Sequence, residues 1–265
     1  MHTITLNASD ISAWVSRLLW PALRVSGFVL CAPVASEKSI PRLVKIVLTL
    51  ALAFVLAPIV QVPSDLSILS ANGMLAAVVE VLIGVSIGLV VQVAFEALNF
   101  AGQSISLSMG LGFATLVDPL HGAQSPVLGQ ILTVFGTLTY LSIDGHLMLI
   151  GALADSFKEL PIGAAHLDHD FPLMLVLWGA RVFDTGLLIA LPIVVALVIV
   201  NLGLGVVTRA APQLNLFGIG FTITILSGFF VLLVGLDGIM GAMSGLFSSA
   251  LGEAAGLFGA AAGAH

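Results

Sequence analysis

Long apolar runs with few charged residues dominate the sequence. The longest, Phe171–Val207, has Arg181 and Asp184 as its only charged residues. In the whole chain 8% of residues are charged and 59% are hydrophobic, whereas a soluble domain carries about 25% charged residues. So few charges cannot cover the surface of a water-soluble protein of 265 residues. The sequence therefore predicts an all-α, multi-helix membrane protein, and it excludes a soluble enzyme, a disordered chain and a secreted disulfide scaffold.

Net charge and cysteine content exclude further classes of protein. The formal net charge is −6, which leaves no electrostatic basis for binding nucleic acid. Cys31 is the single cysteine, so an intramolecular disulfide is impossible. No cluster of basic residues precedes the first apolar run, and we therefore expect no cleavable signal peptide.

About six long apolar helical segments are expected, since roughly 20 apolar residues are needed to cross a bilayer. They cover approximately Ile11–Pro33, Leu43–Val62, Met74–Leu98, Val127–Leu153, Phe171–Val207 and Leu214–Leu236. Pro192 is expected to kink the fifth segment, because proline removes a helical hydrogen bond. Asp144–Gly145–His146 indicates a turn or a break in the fourth.

The connecting loops predict the orientation of these segments. If the Ser36–Lys45 loop is cytoplasmic and the segments alternate, Lys158 is the only basic residue of the outer loops. The inner loops then collect Lys38, Arg42, Lys45 and Arg209. This asymmetry matches the positive-inside rule and places both termini outside. The Gly/Ala-rich tail, Gly238–His265, is either a closely packed helix or a frayed end.

Residues Ser104–Thr115 (SISLSMGLGFAT) differ from an ordinary span. Apolar and small residues alternate there, and a period of two favours extended backbone. At membrane depth such backbone is tolerated only when it is buried in protein or lines a cavity. The stretch is therefore a candidate constriction or plug. The alternative is a short helix with Ile105, Met109, Phe113 and Leu116 along one stripe.

Seven polar residues within the apolar segments are candidates for a function or for interhelical contacts. They are Arg17, Arg24, Glu80, Gln92, Glu96, Arg181 and Asp184. Polar groups in a membrane are costly and are usually paired or face water. One interpretation is that they form a proton or ion relay. The other, which we favour, is that they fix the geometry of the assembly by interhelical or intersubunit pairing. Arg181 and Asp184 could form a local ion pair.

The sequence contains no motif for enzymatic chemistry. It lacks G-x-S-x-G, Walker, C-x-x-C and H-E-x-x-H patterns, each of which carries a specific chemistry. His166, Asp168, His169 and Asp170 resemble metal ligands by type, but a solvated loop is the expected environment. We therefore expect no catalytic, metal or cofactor site.

Four blocks of sequence resemble one known family. They are LRVSGFVLCAPVASEKSIPRLVK (Leu23–Lys45), AGQSISLSMGLGFATLVDP (Ala101–Pro119), DGHLMLIGALADSFKELPIG (Asp144–Gly163) and RAAPQLNLFGIGF (Arg209–Phe221). Their order and spacing are similar to those of the FliR/SctT-type family of type III secretion export-gate subunits. The resemblance covers roughly Ile11–Leu236, and the C-terminal tail departs from it.

The resemblance implies a helical subunit of the flagellar export gate in the bacterial inner membrane, within the flagellar basal body. Its partners would be FliP-like and FliQ-like subunits, an FlhB-like subunit, and unfolded exported proteins as transient substrates. Residues 1–168 would form a FliP-like part and residues 169–265 a FliQ-like helical hairpin, joined near residues 165–172. The assembled helices would be displaced toward the periplasm, in conflict with six simple spans.

The resemblance also assigns a plug. The family's plug loop corresponds to Gly102–Pro119 and its pore-closing aromatic to Phe113. The other constriction residues would be Met109, Gly110, Leu111, Gly112 and Leu116. Two alternatives to a gate remain at this point. One is a small-solute or ion-coupled transporter using Arg24, Glu80 and Glu96, although no internal repeat typical of transporters is evident. The other is a membrane enzyme acting on lipids, for which no motif is present.

Overall fold

The protein is mostly helical in the part of the chain that the structure describes. A computed structural model describes residues 8–37, 39–63, 66, 70–112, 127–163, 171–210 and 220–257, and no strand occurs among them. The helices are α1 (Ala8–Cys31), α2 (Arg42–Leu56), α3 (Ala71–Ser108), α4 (Val127–Ser142), α5 (Gly145–Glu159), α6 (Phe171–Ala210), α7 (Phe221–Val234) and α8 (Leu236–Gly256). The predicted all-α class is confirmed.

Helix boundaries differ from the predicted segments in several places. The fourth segment is broken at Asp144, whose left-handed φ of 56° is a conformation that Asp tolerates better than most residues. The predicted break is thus confirmed, and it separates α4 from α5. The third segment continues ten residues further, to Ser108. The tail is helical as far as Gly256, so a frayed end is wrong up to that residue.

Two of these helices are long and apolar enough to cross a membrane alone. They are α3 and residues Leu173–Ala210 of α6. The number rises to four if the broken pairs α4–α5 and α7–α8 each form one span. The helix α6 continues through Pro192.

The chain divides into two compact units built from interleaved segments. Unit 1 comprises residues 1–92, 144–177 and 249–265, and unit 2 comprises residues 93–143 and 178–248. The division between a FliP-like and a FliQ-like part at residues 168 and 169 stays a prediction.

In unit 1, α1 and the first half of α3 approach each other through glycines. A Cβ on Gly27 would meet the carbonyl oxygen of Val81, and one on Gly84 would meet the carbonyl oxygen of Arg24. A Cβ on Gly88 would lie 2.7 Å from the amide nitrogen of Ala32. Residue numbers rise together along the two helices, so they run parallel here. Small residues permit this close contact between helix backbones.

In unit 2, an aromatic cluster joins the second half of α3 to α4 and α8. The ring centroid of Phe95 lies 4.8 Å from that of Phe247 and 5.6 Å from that of Tyr140. The rings of Tyr140 and Phe247 are also 5.6 Å apart, within the usual range for favourable aromatic pairs. All three side chains are buried, and they form the centre of this unit's core.

Candidate functional site

Arg24 is the centre of a buried polar cluster in unit 1. Its side chain is fully buried, and its Nε donates to Oε2 of Glu80 at 2.7 Å. Nη1 donates to the carbonyl oxygen and the Oγ of Ser156 at 2.7 and 3.1 Å, and Nη2 donates to the carbonyl oxygen of Leu160 at 2.8 Å. The guanidinium carbon lies 4.2 Å from the ring centroid of Phe157. One side chain thus connects α1, α3 and the end of α5.

The position of these carbonyls explains why an arginine is present. The last carbonyls of a helix have no partner within the helix, and Leu160 lies directly after α5. The carbonyl oxygen of Ser156 also accepts from the amide of Leu160 at 3.0 Å. Arginine offers five donors in a planar fork, enough to satisfy the two carbonyls and Glu80 together. Glu80 Oε1 and Trp20 Nε1 are buried without a hydrogen-bond partner among the described residues. The sequence identified Arg24 and Glu80 as candidates, and the structure brings them into contact.

The other predicted polar residues lie at the surface or near it. Arg17 and Glu96 are exposed and Gln92 is half-buried. Arg181 and Asp184 are both exposed. The guanidinium carbon of Arg181 lies 4.6 Å from the ring centroid of Trp178.

The start of the predicted plug is the end of a helix. Extended backbone over Ser104–Ser108 is wrong, because α3 continues to Ser108, and the alternative of a helix is confirmed for these residues. The serines explain the misleading alternation, since Ser104 donates to the carbonyl oxygen of Phe100 and Ser108 to that of Ser104, both at 2.9 Å. Hydroxyls bonded one turn back are compatible with a helix.

The remaining constriction residues follow in a turn. Met109 is buried, Gly110 has a φ of +81°, and Leu111 and Gly112 are half-buried. Phe113 and Leu116 lie outside the described residues. The role of all six residues as a constriction therefore stays a prediction.

Sequence reasoning missed three residues of α6 and α7 that lie against this turn. Thr224 Oγ1 lies 2.9 Å from Oδ1 of Asn201, to which it donates. Asn201 Nδ2 in turn makes a long hydrogen bond of 3.5 Å to the carbonyl oxygen of Ser108. Gly228 faces the side chain of Met109. Asn201 could have been identified from sequence by the criterion that selected Arg24, an isolated polar residue in an apolar segment.

No metal centre is found in the described part of the chain. Groups of three or more His, Cys, Asp or Glu side chains able to hold an ion are absent there. The residues that resemble ligands by type, His166, Asp168, His169 and Asp170, lie outside the described residues.

Comparison with known proteins identifies the family. The model of the family described as bacterial export proteins, family 1, matches residues 15–250. The flagellar biosynthetic protein FliR of Escherichia coli is 40% identical over 216 residues, covering 82% of each chain. FliR of Pectobacterium carotovorum is 40% identical, covering 86% of this chain and 87% of its own. FliR of Aquifex aeolicus is 32% identical, with 87% and 89% covered. Because the family model matches residues 15–250 and these FliR proteins align over 82–89% of their own length, the chain belongs to the bacterial export proteins, family 1.

Proposed function

We propose that the protein is a core subunit of the flagellar type III protein export gate. In this role it helps to form and seal the central channel through which unfolded flagellar proteins are exported. The observation that carries the proposal is the family match over residues 15–250 together with 40% identity to a FliR protein over 82% of both chains. The comparisons favour this function over the solute-transporter alternative. The proposed role includes no chemistry on the exported chains.

The exposed apolar surface supports a role within an assembly in the inner membrane. Along α2, Leu43 is 71% exposed and Phe54 70%, and only Ala53 and Leu56 of this helix are buried. Exposed apolar patches of this extent mark contacts with other proteins or with lipid. We assign them to FliP-like and FliQ-like subunits, an FlhB-like subunit and the membrane, with the assembled gate displaced toward the periplasm.

The polar cluster around Arg24 supports a structural role for Arg24 and Glu80, two residues that the transporter alternative would use. Its guanidinium is held by four hydrogen bonds to Glu80, Ser156 and Leu160. A solute would have to break these contacts before it could reach the guanidinium of Arg24. We therefore assign Arg24 and Glu80 to the fixed geometry of α1, α3 and α5.

In the proposed gate, the plug segment Gly102–Pro119 closes the channel and Phe113 seals it. A constriction of mobile apolar side chains excludes water and ions when the channel is empty. An unfolded chain that enters supplies alternative apolar contacts and displaces the plug. Since a ligand shifts a conformational equilibrium only by its differential affinity, the closed state is favoured by a small margin.

Deletion of the gene tests the proposed function. A gate subunit predicts that secreted flagellin disappears from the medium while flagellin inside the cell persists, and that the wild-type gene restores secretion. The variant Gly241→Ala is a matched control, because nothing lies within 4 Å of a Cβ at that position. Normal secretion by the deletion strain would contradict the proposal and would favour a transporter.

A further inference from the structure

Gly228 of α7 forms a socket for the side chain of Met109. A Cβ at residue 228 would lie 2.6 Å from both Cγ and Cε of Met109 and 2.8 Å from its Sδ. The methionine is fully buried. Rotation about the terminal bonds of the Met109 side chain would move Cε but leave Cγ in place. Any side chain at residue 228 would therefore force Met109 out or move the helices apart. The absence of a side chain at residue 228 is therefore what admits Met109.

Two further contacts hold the same turn of chain. Asn201 of α6 reaches the carbonyl oxygen of Ser108 and is itself oriented by the hydroxyl of Thr224. The ring of Phe221 lies 2.8 Å from the position of a Cβ on Gly110. Contacts from α6 and α7 thus converge on residues 108–110, and this stretch ends three residues before residue 113.

We propose that the Gly228 socket is a latch that positions the plug, with Met109 seated in the closed gate and withdrawn in the open one. The inference rests on the proposed gate function and extends it to residues outside the plug. An unbranched, flexible methionine can leave and re-enter an apolar socket with little rearrangement of its neighbours. Gly110, at a φ of +81°, supplies a hinge that other residues would strain. Met109 therefore anchors the plug rather than lining the channel.

A reversible cross-link tests whether Met109 must leave the socket. The chain carrying Met109→Cys and Gly228→Cys in a Cys31→Ser background is assembled with its partner subunits. A cysteine at residue 109 places its Sγ at the position of Cγ in Met109, which is 2.6 Å from a Cβ at residue 228, so the pair is close enough to be bridged. Replacing Cys31 removes the one native thiol of this chain.

We expect export of flagellin to be lost when the pair is oxidised and to return when dithiothreitol is added. The two single-cysteine variants should respond to neither reagent. Equal export by the cross-linked and the reduced gate would overturn the latch, and failure of the pair to cross-link under oxidant would contradict the contact itself. These outcomes differ from a failure of the proposed function, in which export would persist even in the deletion strain.

A size change at the socket gives a second, independent measurement. Gly228→Ala should raise potassium efflux from proteoliposomes that contain the assembled gate, because Met109 can no longer seat. Gly203→Ala is the matched control, since nothing lies within 4 Å of a Cβ there. Unchanged efflux from an assembled Gly228→Ala gate would overturn the proposal. If that variant does not assemble, the reversible cross-link decides.

Discussion

Glu80→Ala should destabilise the protein far more than Asp155→Ala, although both carboxylates lie 2.7 Å from a basic nitrogen. The pair Arg24–Glu80 is 0% and 1% exposed, whereas the pair Lys158–Asp155 is 62% and 61% exposed. Both pairs belong to unit 1, and each substitution introduces the same residue into a helix. The two variants therefore differ mainly in how much water surrounds the charge that is left behind.

The expected magnitudes follow from that difference. Removing one partner of a buried ion pair costs about 3–5 kcal/mol, because the other charge remains buried and uncompensated. An exposed pair contributes about 0–1 kcal/mol. Arg24→Ala should cost at least as much as Glu80→Ala, since it also removes the arginine donor from the carbonyl of Leu160 and one of the two donors from the carbonyl of Ser156. The double variant Arg24→Met/Glu80→Leu should recover only part of the loss, because the carbonyl of Leu160 loses its arginine donor at a cost of about 1–3 kcal/mol.

The free energy of unfolding of the detergent-solubilised protein is the quantity to measure, by titration with sodium dodecyl sulfate followed by circular dichroism. Glu80→Gln separates charge from shape, because it keeps an acceptor for Arg24 and removes only the charge, and it should give an intermediate loss. A loss for Glu80→Ala as small as that for Asp155→Ala would refute the reasoning. It would mean that the charge of Arg24 is not desolvated in the folded protein.

Three further predictions concern packing and the seal. Gly84→Ala should lower the free energy of unfolding by about 1–3 kcal/mol through overpacking, because its Cβ would meet the backbone of α1. Gly151→Ala is the control and should not, since nothing lies within 4 Å of a Cβ there. Equal melting temperatures of the two variants would refute this. Phe247→Ala should cost about 3–5 kcal/mol, as expected for a fully buried phenylalanine, with Phe247→Leu costing less in the same titration. Phe113→Ala should make the assembled gate leak potassium ions, and unchanged conductance would count against Phe113 as the seal.

The helices could be predicted from the sequence because apolar length alone requires them. A membrane leaves backbone groups no partner except each other, so runs such as Phe171–Val207 have little alternative to α6. The break at Asp144 was also predictable, since Asp–Gly is typical of a turn. The same argument from composition identified Arg24 and Glu80 as residues that need partners.

The identity of those partners could not be predicted. Two of the four hydrogen bonds of Arg24 go to backbone carbonyls at the end of α5, and a carbonyl has no signature in the sequence. The socket at Gly228 was missed for a similar reason, because a glycine in an apolar segment does not indicate which side chain occupies the space beside it. The alternation at Ser104–Ser108 was misleading because serine can satisfy its hydroxyl within a helix.

Native mass spectrometry of the gently solubilised, tagged protein, expressed together with its chromosomal neighbours, tests the export-gate function most directly. The proposed function predicts a hetero-oligomer with one copy of this chain among several copies of two other small hydrophobic proteins. A homogeneous monomer or homodimer, unaffected by the co-expressed neighbours, would contradict it.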